Sequence, residues 1–481
     1  MRISLLQRLG SVFFLLLADG DAPPAVAQET ARIRAGPEAS IGVDRTLPHV
    51  EPHLAVNPAN PAHLVGAAMV AQDTEEEFRA VRCVALLSFD GGKSWESTDL
   101  NGLFDPERLD PRSCFDVWAA IAADGTAYVA LLGDPAEGAP EVPSLLFRSP
   151  DGGKTWLEPV IVPAGRGGVY DQEDILVDHT DGAHAGTVYH GAVQGYRTAE
   201  GIPYTAVSVA RSTDGGGSFF DPVPAALSNL ELQEMNMVTL SDGTLVVGYH
   251  DWGTCQRTPC DHYRLRLPRL WVTVSSDGGR SFSPSRFVAE IRQRTIPKIA
   301  VDLGSGDYRD RLYAAWGDWG KTLDPADSVF FNPEKGLYFT RSTDRGLTWA
   351  RPRRIDRASD PKTLRGTAAV AVSPDGTVGI AWQDRRDDPE NRCQKLYFTA
   401  SLDGGDTFLP EIPVSTAPSC PRAPGNGWTG DRYPTGGEYF GLVGTGAGTF
   451  RALWADARSG VFQLYTAEIT VSSAGPRGVR R

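Results

Sequence analysis

The sequence predicts an all-β chain closed into a single β-propeller of seven four-stranded blades. Three observations carry that prediction: a turn repeated six times at nearly constant spacing, seven matched strand openings, and a short β-rich segment ahead of the first opening. The turn reads Ser-x-Asp-x-Gly-x-(Ser/Thr)-(Trp/Phe), as in "SPDGGKTW" from Ser149, and recurs from Ser88, Ser212, Ser275, Ser342 and Ser401. Its aspartates, Asp90, Asp151, Asp214, Asp277, Asp344 and Asp403, stand 61, 63, 63, 67 and 59 residues apart, the period of a repeat architecture. Within each copy the carboxylate accepts N–H bonds of its own turn and the glycines take positive φ. The aromatic folds back between neighbouring sheets.

Around each turn the chain supplies a sheet. In the sixth unit "AAVAVSP", "TVGIAWQD" and "KLYFTASLD" are β-rich runs parted by turn residues, with a shorter strand after Phe408. Four short strands per unit make a propeller blade. The openings of the innermost strands align at Glu51, Asp116, Gln172, Glu234, Ile296, Thr367 and Glu438. Seven openings against six turns leave the last blade one strand short. The segment Ala31 to Asp44 is the donor that closes the ring and leaves no open edge. Six blades is the alternative if the first or last unit does not form one.

Cys83 and Cys114 occupy the same two places in units one and two as Cys393 and Cys420 in units six and seven, which predicts equivalent bridges. Cys255 and Cys260 bracket one loop and predict a third, leaving no thiol for a metal site. Residues 1–27 have a basic start, an apolar run too short to span a bilayer and a small-residue end, the layout of a cleaved secretory signal. The expected organisation is therefore a signal over 1–27, a propeller over 28–475 and a tail over 476–481, in a secreted protein, extracellular or periplasmic, without a membrane span. A formal charge of −13 argues against nucleic acid or an anionic membrane as partner.

Function is expected where the innermost strands begin. Four of the seven openings are acidic, and two residues further on stand His53, Trp118, Asp174, Asn236, Lys298, Ala369 and Phe440. Carboxylates crowded on an axis repel one another, shift their pKa values and recruit sugar hydroxyls or a hard cation such as Ca2+. No other cofactor is expected. Asp134, Asp251, Asp318, Asp384 and Asp456 recur shortly after the second strands, a regularity that favours turn capping over chemistry.

The repeated turn resembles the Asp box, and six copies in a propeller resemble the sialidases and their wider Asp-box (BNR-repeat) superfamily. The resemblance covers nearly all of residues 50–470. It implies a glycoside hydrolase acting on a glycan or glycoconjugate. "EYFGL" looks like the family's nucleophile strand, with Tyr439 in the nucleophile's place. "EMNMVTLSDGTL" looks like its Glu strand, with Glu234 as activating base, and Asp73 stands where the family keeps its acid/base aspartate. Glu51, His53, Asp116, Trp118, Asp174, Asn236, His250, Lys298 and Glu438 are then the candidate substrate contacts. The three arginines with which sialidases hold a carboxylate have no counterparts in "VEPHL" and "VVGYHD", with Arg45 and Arg432 as loop candidates. Three readings follow: a sialidase-type hydrolase on Tyr439 and Glu234; a hydrolase or lyase of a neutral sugar on Glu51, Asp116, Asp174 and Glu234; or a non-catalytic propeller binding glycan, protein or calcium.

Overall fold

The computed structural model describes residues 31–42, 44–72, 80–136, 144–164, 169–197, 203–255, 267–291, 296–304, 306–317, 335–358 and 363–472. Seven antiparallel sheets follow one another in chain order, each meandering outward from an inner strand. The inner strands are His49–Asn57, Leu109–Ile121, Val169–Val177, Leu230–Thr239, Lys298–Val301, Arg365–Val372 and Gly441–Gly446. Blades one to six are complete in themselves. Blade seven has three strands of its own, Gly441–Gly446, Thr449–Asp456 and Gln463–Ser472.

The missing strand comes from the N-terminal segment, as the sequence predicts. Arg32–Ala35 and Ala39–Ile41 pair with Gln463–Ser472, with Arg32 opposite Ser472 and Ile41 opposite Leu464. The predicted single strand is broken in two at Gly36, whose N–H still reaches the Glu468 carbonyl at 2.7 Å. Beside the break, Glu38 accepts two hydrogen bonds from the Arg458 guanidinium, both 2.8 Å, in the bidentate geometry that makes a charged pair directional. This pair ties the N-terminal segment to the last blade.

Burial runs between the blades. One apolar cluster fills the interface of each adjacent pair, and Leu54, Leu64, Leu453 and Leu464 with Ile41 seal the junction between blades seven and one. Each repeated aromatic packs into the interface with the preceding blade: Trp95 on that closing cluster, Phe219 on the one between blades two and three, Trp349 on the one between blades four and five. The polar half of the turn forms as expected. Asp151 accepts from the Thr155 amide at 2.9 Å, from Thr155 Oγ1 at 2.7 Å and from Ser149 Oγ at 2.7 Å. Those bonds pull its pKa down to about 2.

Disulfides join Cys83 to Cys114 and Cys393 to Cys420. The Cys255–Cys260 expectation falls outside the described residues, as do residues 1–27, the tail 476–481 and Asp318. Asp251, Asp384 and Asp456 each cap a turn, accepting from the amides of Gly253, Arg386 and Arg458 at 2.8–2.9 Å. Among the described residues no helix is long and apolar enough to cross a membrane.

Candidate functional site

The inner strands open with an irregularity that re-aims their first side chains. Glu51, Asp116 and Gln172, matched openings of blades one to three, all have left-handed backbone, with φ of 53°, 51° and 39°. Each sits at a register shift against the second strand. An extra residue in a strand breaks the alternation of faces, and a non-glycine residue held there costs on the order of 1–3 kcal/mol. The surroundings fix the distortion: the Glu51 amide donates to the Gly436 carbonyl at 2.9 Å, and the Gln172 amide to Asp116 Oδ2 at 3.2 Å. Blade four repeats the shift between Glu234 and Asn236.

The bulges of blades one to three, together with Glu438 just ahead of the seventh inner strand, gather carboxyl groups from four blade openings into one mouth. Glu51 Oε1 accepts the Glu438 amide at 3.1 Å, and Gln172 Nε2 approaches Glu438 Oε2 at 3.4 Å. Asp171 accepts Gln233 Nε2 at 2.9 Å. Arg432 pairs with Glu438 at 3.0 Å and lies over the Tyr433 ring. Glu51 is 2% exposed, and its second oxygen, Oε2, meets no hydrogen-bond partner among the described residues. Burial, then the Glu438 charge, push its pKa up to about 8, so it carries a proton at neutral pH. Asp116 is driven well up by burial and by the charges of Asp171, Glu51 and Glu438. Burial raises Asp171 too, against the Gln233 bond that favours its charged form.

Below this ring the channel is plugged. Lys298 from blade five places its ammonium 4.1 Å from the Trp118 ring centre and 5.4 Å from that of Tyr439, so blades two, five and seven meet at the axis through a cation on aromatic faces. His53 packs on Trp118 at 4.1 Å. Burial and the Lys298 charge push its pKa down to about 3, which suits the neutral ring nitrogen Nδ1 that accepts the Ala119 amide at 3.1 Å. The Tyr439 hydroxyl donates to the Val117 carbonyl at 3.2 Å, and burial together with the Glu51 and Asp116 charges hold it firmly neutral.

Several predicted contacts turn out to bind neighbouring blades. Asp174 accepts the Met237 amide at 2.5 Å, and burial lifts its pKa to about 6. Asn236 accepts the Ile299 amide at 2.8 Å and donates to the Ile299 carbonyl at 2.9 Å. With His53 they form one motif: the side chain two residues past an opening takes a backbone amide of the next inner strand. Ala369 and Phe440 have no side-chain acceptor for it. His250 is buried edge-on to Trp252, which donates to Gln233 at 3.1 Å, one step behind Asp171. Asp73 and the Glu234 side chain lie outside the described residues. Asp171, Gln233 and Tyr433 belong to the mouth without having been singled out in the sequence. The first two stand one residue before a matched opening, and that adjacency is the signal that finds them.

No family model matches the sequence, and no curated protein matches it. Among solved structures, the intramolecular trans-sialidase of Ruminococcus gnavus in complex with oseltamivir carboxylate superposes with a TM-score of 0.50 at 11% identity, over 79% of this chain and 99% of that one. A protein of unknown function from Dyadobacter fermentans gives 0.47 at 13% identity, over 92% and 99%. An α-L-arabinofuranosidase from Fusarium graminearum gives 0.46 at 17%, over 77% and 95%. At such identities the likeness is one of fold, and the chain is a seven-bladed β-propeller of sialidase-like fold.

Proposed function

We propose that the protein is an exported, glycan-directed glycoside hydrolase whose acid/base chemistry resides in the carboxyl groups of the mouth, acting on sugars without an acid group. The observation that carries this reading is Glu51: a buried, protonated carboxyl with one oxygen unpartnered among the described residues, beside Glu438 in its ion pair with Arg432. Glycoside hydrolysis needs such a pair. One carboxylic acid gives its proton to the leaving oxygen while a second, charged carboxylate attacks the anomeric carbon or activates a water. Glu51 fits the donor and Glu438 the charged partner. Gln172 and Asp171 stand beside them as hydrogen-bond partners for hydroxyls.

An anionic sugar entering the mouth meets the charged Glu438 carboxylate, and the Arg432 charge is already engaged by Glu438, while Glu51 is buried and protonated. A carboxylate brought there is repelled, which supports neutral glycans over sialic-acid-like ones. The Tyr439 nucleophile is the second reading, favoured by that ring's place at the base of the same mouth. Against it stands a hydroxyl committed to a backbone carbonyl and held neutral. A screen of the purified protein against a glycan array with parallel fluorogenic glycosides tests the proposal. Cleavage of a neutral glycoside supports it, binding without cleavage makes the protein a lectin-like propeller, and efficient cleavage of a sialoside overturns the substrate class.

A further inference from the structure

Glu51 and Glu438 belong to the same chemical class, are linked by the hydrogen bond from the Glu438 backbone amide to the Glu51 carboxyl, and on the reading above perform opposite tasks. Something must distinguish them. Burial accounts for Glu51, while the Glu438 side chain is 38% exposed and meets Arg432. Arg432 comes from outside the repeat. It ends the short helix Thr429–Arg432, in the segment between the last strand of blade six and the first of blade seven.

That segment is anchored at many points. The Cys393–Cys420 bridge holds its start. The buried Asn426 donates to the Pro421 carbonyl at 2.7 Å and accepts the Phe462 amide at 2.6 Å. Arg385 donates to the Pro434 carbonyl at 3.0 Å, and Gln383 to the Thr435 carbonyl at 2.7 Å. Tyr433, 4% exposed, packs into the cluster between blades one and two. A loop fixed in this way delivers the guanidinium to one place, where Nη1 meets Glu438 Oε1 at 3.0 Å.

We propose that Arg432 is a positioning residue: its ion pair reserves Glu438 as the charged member of the pair and leaves Glu51 as the proton donor. The groups facing Glu51 are Glu438, Asp171, Asp116, Tyr433 and Tyr439 besides Arg432, and Arg432 is the one cation among these. Removing it leaves four carboxyl groups to share protons without a fixed assignment. The effect runs through Glu438, so the expected signature is electrostatic and a lysine supplies most of it.

The inference rests on the hydrolase reading, and its test has one arm that does not need turnover. Arg432→Gln and Arg432→Lys are compared with the wild type by 13C NMR of protein labelled at the glutamate carboxyl carbon, with Glu51→Gln and Glu438→Gln used to assign the two signals. The expected result is that Glu438 titrates at higher pH in Arg432→Gln and close to the wild type in Arg432→Lys. Unchanged Glu438 titration in Arg432→Gln overturns the proposal. With a cleaved glycoside in hand, Arg432→Gln lowers kcat at least tenfold with KM within about twofold and moves the acid limb of the pH profile upward. Arg432→Lys recovers most of kcat. Loss of kcat equal in both variants, with an unmoved pH profile, reduces Arg432 to a structural role. Failure of the wild type on every glycoside refutes the hydrolase reading and leaves the NMR arm to decide Arg432.

Discussion

Glu51 and Glu438, from blade one and the threshold of blade seven, are joined by a 3.1 Å hydrogen bond from the Glu438 amide to Glu51 Oε1. The bond crosses the point where the ring closes, so the mouth is assembled only when the last blade docks on the first. Gly437 makes the approach feasible. With φ of +143°, it lies where a β-carbon would come within 2.8 Å of Glu51 Cα, Cγ and N.

Gly437→Ala is expected to push Glu51 aside. Overpacking of this kind costs about 1–3 kcal/mol, and no flexible group is available to yield, since two of the three atoms are backbone. Thermal unfolding should show the loss, with at least a tenfold fall in any turnover. A variant with wild-type stability and activity contradicts the placement of Glu51.

Glu51→Gln tests the buried carboxyl through stability. The unfolded group titrates near 4.5 and the folded one near 8. Between those values the native state binds the extra proton, so native stability falls as pH rises through that window. Glutamine carries no titrating proton and keeps an acceptor for the Glu438 amide. Tenfold in proton affinity is worth about 1.4 kcal/mol and neighbouring carboxyls share the effect, so the variant should be more stable than wild type by roughly 1–3 kcal/mol at pH 8 and nearly equal at pH 4. Denaturant midpoints at the two pH values measure this; equal differences at both contradict it.

Asn236→Ala removes both bonds to Ile299 and leaves a partly buried amide and carbonyl without their partner, at a cost of about 1–3 kcal/mol. Hydrogen exchange should rise first in the inner strands of blades four and five. Unchanged exchange there means the clamp does not hold the blades together.

Asp151→Ala concerns the repeated turn. The carboxylate is exposed, so water replaces much of what is lost, and the expected cost is about 1 kcal/mol with function unchanged. A folded variant that has lost its ligand contradicts the structural role of these aspartates.

Blade number, ring closure and two bridges were legible in the sequence because each is a repeated or paired feature, and repetition survives without knowledge of packing. The column of openings was legible too. Glu51, Asp116 and Gln172 share one backbone conformation as well as one alignment column. What lay hidden was the direction of the side chains. A bulge shifts the alternation by one residue, so Asp171 and Gln233 enter the mouth from positions that a regular strand turns away, while Asp174 and Asn236 are drawn sideways to the next blade. Arg432 was named only as a loop candidate because its segment has no counterpart in the other units against which to align it.

The central claim is that Glu51 donates the proton to the leaving oxygen and that Tyr439 is not the nucleophile. The most direct measurement is the pH dependence of kcat/KM on an unactivated neutral glycan for the wild type, Glu51→Gln and Tyr439→Phe. Loss of a general acid costs on the order of 10²–10⁴ in rate. The account predicts a wild-type profile that falls above about pH 8, a loss of that order in Glu51→Gln, and Tyr439→Phe within about threefold of wild type. Full activity in Glu51→Gln, or abolished turnover in a folded Tyr439→Phe, would contradict it.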